Sequence, residues 1–79
     1  MNARKLANAL FSVINDYYEG MEMPKTVIVA ISDDYESIAV LENEDDEPEW
    51  FDSAFKEKID TENLSDSVAE IAAFHFDER

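Results

Sequence analysis

The chain contains no cysteine, one glycine, two prolines and one histidine. Without cysteine there are no disulfides, no thiolate nucleophile and no thiolate zinc site, a composition that suits a reducing cytoplasm. With a single glycine there is no Gly-rich loop to cradle a phosphate and no flexible linker. No stretch approaches the roughly 20 apolar residues of a membrane span. The basic start at Arg4 and Lys5 is followed by Asn8, Ser12, Asn15 and Asp16 rather than an apolar run, so a secretory leader is not expected. Basic residues are scarcest of all relative to their opposites. Six Lys and Arg face 20 Asp and Glu, for a formal net charge of −14 and a pI near 4.1. A direct nucleic-acid binder must neutralise phosphates with Lys and Arg, and anionic membranes select for the same residues. Both classes are disfavoured.

What is present supports one folded domain over residues 1–79, since 46% of the 79 residues are apolar. A core drawn from so short a chain is thin, which leaves room for a homodimer. Residues 3–18 read as an amphipathic helix, with Leu6, Leu10, Ile14, Tyr17 and Tyr18 at helical spacing. Asn2 suits its N-cap and Gly20 the position just past its end, and Pro24 bars continuation. Residues 26–32 (TVIVAIS) and 37–42 (SIAVLE) read as strands of an antiparallel hairpin around the turn 33–36. Val27, Val29 and Ile31 share one face and Ile28 and Ala30 the other, so both faces call for cover. Trp50, Phe51, Ala54, Phe55 and Ile59 suggest a short helical face after an acidic loop at 43–49. Residues 64–76 suggest a last helix, capped by Thr61, Asn63 or Ser65. The alternation Phe74-His75-Phe76 also allows residues 72–76 to end as an edge strand. The expected class is α+β, a small two-layer domain of order α-β-β-α-α whose hairpin is covered by helices.

Charge is distributed unevenly. Residues 1–25 are neutral, 26–49 carry −9, and no basic residue occurs from Thr26 to Phe55. The expected partner-binding residues are Asp33, Asp34, Tyr35 and Glu36 in the turn, and Glu42, Glu44, Asp45, Asp46, Glu47, Glu49 and Trp50 in and after the loop. Carboxylates at this density repel one another, so raised pKa values are expected among them. They also steer a basic partner, and aromatic side chains among them can anchor it.

In size, lack of cysteine, Asp/Glu excess and the segment Glu42-Asn43-Glu44-Asp45-Asp46-Glu47-Pro48-Glu49-Trp50, the chain resembles the small acidic inhibitors of phages and mobile elements, the anti-CRISPR and antirestriction proteins of DNA-mimic type. The resemblance implies a protein that occupies the basic nucleic-acid-binding surface of a partner in the host cytoplasm. It carries no aligned motif, so no residue role transfers. The alternative is a small non-catalytic structural or adaptor domain, dimeric or not, whose acidity serves solubility or adaptation to high salt.

Catalysis and cofactors have little to rest on. His75 is the one histidine, without a recognisable nucleophile to serve. A calcium loop begun at Asp45 would place Trp50 where glycine is required and Lys56 where glutamate is required. A non-enzymatic chain without a cofactor or a specific metal site is expected, with only loose divalent-cation binding to residues 44–49.

Overall fold

Helix α1 (Ala3–Tyr17) is built on one apolar stripe, and Leu6, Leu10 and Ile14 along it are fully buried. Asn2 caps it, its side-chain oxygen accepting from the Lys5 amide at 2.9 Å. Gly20, expected directly after the helix, instead supplies the positive φ (+76°) of the turn closed by Met21 N–H to Tyr18 C=O. The computed structural model describes residues 2–43, 45, 46, 48 and 55–76.

The domain is α+β, as expected, with a third strand in place of one helix. Strands β1 (Thr26–Ile31), β2 (Ile38–Leu41) and β3 (Phe55–Asp60) form an antiparallel sheet in the order β2-β1-β3. A 3₁₀ turn (Thr61–Asn63) then leads into α2 (Leu64–Phe76). The order is therefore α-β-β-β-α. β1 pairs with β2 through Ala30↔Ala39 and Val29↔Val40, and with β3 through Val27↔Ile59 and Val29↔Glu57.

Phe55 and Ile59, expected on a short helical face, lie instead on strand β3. Their spacing fits a strand once Glu57 is allowed to point inward between them. β1 is apolar on both faces and is most stable as the central strand, which requires a partner on each edge. The other members of the expected helical face, Trp50, Phe51 and Ala54, lie outside the described residues.

Both helices pack on the face that carries Val27, Val29, Ile31 and Ile59, where Val68 and Ala72 of α2 meet Leu6, Leu10 and Ile14 of α1. On the opposite face Ala30 and Leu41 are buried too. α2 remains helical to Phe76, so residues 72–76 do not form an edge strand. The 3₁₀ turn that leads into it is capped by Asp60. The Asp60 carboxylate accepts from the Glu62 amide at 3.0 Å and from the Asn63 side chain at 3.2 Å. Among the described residues no helix is long and apolar enough to cross a membrane.

Strand direction fixes which loops share an end. α1 feeds β1 through residues 18–25, so the C-terminus of α1 lies at the Thr26 end of the sheet. Tyr17 bonding to Glu42 brings the exit of β2 to that end, and Thr61 N–H bonding to Lys25 C=O adds the start of α2. The opposite end, beyond Ile31, gathers the N-terminus of α1, the turn Ser32–Ser37, the start of β3 and the C-terminus of α2.

Candidate functional site: an acidic pole

At the Thr26 end the fold collects carboxylates from three separate segments. Asp16, Glu19 and Glu22 come from the last turn of α1 and the loop after it. Glu42, Asp45 and Asp46 follow β2. Asp60, Glu62 and Asp66 surround the start of α2. All nine are exposed, and Lys25 is the one cation on the same loops among the described residues. α1 has no basic residue in its last turn, so the negative end of its dipole adds to the field.

Local bonds hold the middle of this pole. The Tyr17 hydroxyl donates to Glu42 Oε1 at 3.2 Å, and its ring stands edge-on to Tyr18 with centroids 4.8 Å apart. Desolvation, then the Glu42 carboxylate, raise the Tyr17 pKa above its ordinary value, with smaller contributions from Tyr18 and Asp46. The Asn43 amide donates to Asp46 Oδ2 at 3.2 Å, and Asp46 N–H returns a bond to Asn43 C=O at 3.1 Å, which closes a turn. Tyr17, 38% exposed, is an aromatic surface within the carboxylates.

No family model, curated protein or solved structure matches this chain.

The sequence grouped Asp33, Asp34, Tyr35 and Glu36 with Glu42, Asp45 and Asp46 in one acidic face. The fold sets these two groups at opposite ends of β2, about 20 Å apart at the usual strand rise. Glu44, Glu47, Glu49 and Trp50 lie outside the described residues. The turn is also bound differently from the pole. Asp34 Oδ1 accepts from the Ser32 hydroxyl at 2.6 Å and from the Glu36 amide at 3.0 Å. These two bonds, the hydroxyl first, hold the Asp34 carboxyl below its ordinary pKa, against the expectation that crowded acids here hold their protons more tightly.

Tyr35 takes a left-handed conformation (φ +61°), a costly choice for an aromatic residue. Its ring packs against Phe76 at 4.8 Å and stacks with Phe55 at 6.0 Å. Its hydroxyl lies 3.2 Å from His75 Nδ1, while His75 Nε2 lies 2.7 Å from Glu57 Oε2. Both bonds are satisfied when Nε2–H donates to the carboxylate and Tyr35 O–H donates to Nδ1. The order carboxylate, imidazole, hydroxyl has the form of a catalytic relay, but the His75 side chain is only 4% exposed. No cavity opens beside it among the described residues. The chain of bonds acts as a brace joining the turn, β3 and α2.

Sequence reasoning missed six of the nine pole residues, namely Asp16, Glu19, Glu22, Asp60, Glu62 and Asp66. Counting charge along the chain makes the first 25 residues neutral, because Arg4, Lys5 and Lys25 cancel Asp16, Glu19 and Glu22, although the length of α1 separates Arg4 and Lys5 from those acids. The available signal was the order within that helix: basic residues in its first turn, acids at and after its last.

Proposed function

We propose that this protein is an acidic inhibitor that docks its carboxylate pole on the basic nucleic-acid-binding surface of a partner protein, as a DNA mimic of the anti-CRISPR or antirestriction kind. The carrying observation is the concentration of nine exposed carboxylates, from three segments, around one end of the domain. Repulsion among them lowers the stability of the fold, and a cationic surface offsets that cost. Such a pole steers association over a distance set by the Debye length, about 8 Å at physiological salt. The turn carboxylates lie about 20 Å away, the length of roughly six base-pair steps at ~3.4 Å each. A basic channel built for a duplex can therefore contact both groups along one side of the sheet. The acting compartment in this reading is the host cytoplasm.

The test is capture of cellular proteins on the immobilised chain at low salt, followed by elution with duplex DNA. The reading expects a basic nucleic-acid-binding protein that DNA displaces. A variant with Asp16→Asn, Glu19→Gln, Asp45→Asn and Glu62→Gln should fold normally and lose that capture. If the neutralised variant captures the same protein equally well, the pole is not the docking surface.

A further inference from the structure

The two helices differ on their outer sides. α1 exposes Arg4, Lys5, Asn8, Ser12 and Asn15, a polar face that needs no cover. α2 exposes Asp66, Ala69, Glu70, Ala73 and Phe74, and Phe74 keeps 80% of its surface in water. Ser67, whose hydroxyl accepts from the Asp60 amide, marks the side of α2 that faces β3. Phe74 leaves the helix on that same side two turns later. Phe55, 41% exposed at the start of β3, and Phe74 both rest against the ring of His75, with centroids at 4.8 and 5.7 Å. The two rings flank one imidazole and form an aromatic ledge beside it.

We infer that this ledge is a docking surface for a protein segment presenting an apolar side chain next to a lysine or arginine. Charge decides the occupant. Glu70 lies one turn before Phe74, on the helix surface between Ala73 and Phe74. Covering the ledge desolvates that carboxylate unless the partner brings a cation to it. α2 and the turn Ser32–Ser37 contain no Lys or Arg, and the Lys56 side chain emerges on the other face of the sheet from Phe55. A second copy would bring its own Glu70 and Asp66 and a further net charge of −14. The ledge is distinct from the acidic pole and can fail or succeed independently of it.

The test uses two synthetic helical peptides of equal charge, one of leucine and lysine and one of serine and lysine, titrated into the isotopically labelled chain at physiological salt. The leucine peptide should shift the amides of Phe55 and of Ala69–Phe76. The serine peptide should shift only the Thr26 end. Phe74→Ser should weaken the leucine peptide about tenfold and leave the serine peptide unaffected. Ala73→Gln, a change on the exposed side of the helix, should weaken the leucine peptide as well. The inference is overturned if both peptides shift the same amides or if Phe74→Ser binds the leucine peptide as the native chain does. It is also overturned if the native chain sediments as a dimer that Phe74→Ser dissociates. Failure of the pole reading looks different: the serine peptide leaves the Thr26 end unshifted while the leucine response at α2 survives.

Discussion

Replacing His75 with leucine tests whether the brace holds the end of the domain together. Glu57 points to the helix-facing side of the sheet because Val29, its register partner, does. Its carboxylate is 24% exposed and is held by His75 Nε2 at 2.7 Å. Removing the imidazole deletes a charge-assisted bond worth about 1.5–3 kcal/mol and leaves the Tyr35 hydroxyl without its nitrogen acceptor, about 1 kcal/mol more. Partial exposure of Glu57 lets water recover a share, so the net loss should be about 2–3 kcal/mol. For a domain of this length that lowers Tm by roughly 10–20 °C. The assay is urea and thermal unfolding followed by far-ultraviolet circular dichroism, on His75→Leu, Glu57→Leu and the double variant. The double variant should recover stability relative to the sum of the singles, with a coupling of at least about 1 kcal/mol, because no charge is then left facing the helices. A loss below about 0.5 kcal/mol for His75→Leu, or strictly additive singles, would refute this account of the brace.

Three further outcomes follow from the same structure. Because the Asp34 carboxyl titrates below its unfolded value near ~3.9, its contribution is complete above that pH and is lost as pH falls through the folded value; the stability difference between native chain and Asp34→Ala should therefore shrink on acidification. Tyr17 is shifted the other way, so the stability linked to its protonated hydroxyl is complete below about pH 10 and lost above it, and Tyr17→Phe should remove one phenolate step above about pH 10 from the absorbance titration. Ile59, fully buried beside Val27, should cost about 2–5 kcal/mol as alanine in urea unfolding, and Val29→Asp, which places a charge in the core, should abolish cooperative folding altogether.

Much of the fold was legible in the sequence because two strong periodicities carried it. The stripe of Leu6, Leu10 and Ile14 and the β-branched run Val27–Ile31 each specify one element with little competition. β3 was hidden because its inner row is Phe55, Glu57 and Ile59. A carboxylate between two apolar residues breaks the alternation, and a histidine 18 residues later pairs with it at that inward position. The cap at Asp60 was missed for a related reason: it sits at the end of a strand that was read as helix. The acidic surface was legible as composition but not as shape. A linear count joins Asp33–Glu36 to Glu42–Asp46, whereas the length of β2 separates them. It also conceals Asp16 and Glu19, which an antiparallel helix delivers to the same end as Glu42.

The gathering of carboxylates at the Thr26 end is most directly measured by paramagnetic relaxation of backbone amides in the presence of cationic and, separately, anionic nitroxide probes. The account predicts that the ratio of cationic to anionic enhancement is highest at Asp16–Glu22, Glu42–Asp46 and Asp60–Asp66, clearly lower at Arg4 and Lys5, and reduced towards uniformity by salt. A ratio equal at both ends of the domain at low salt would contradict it.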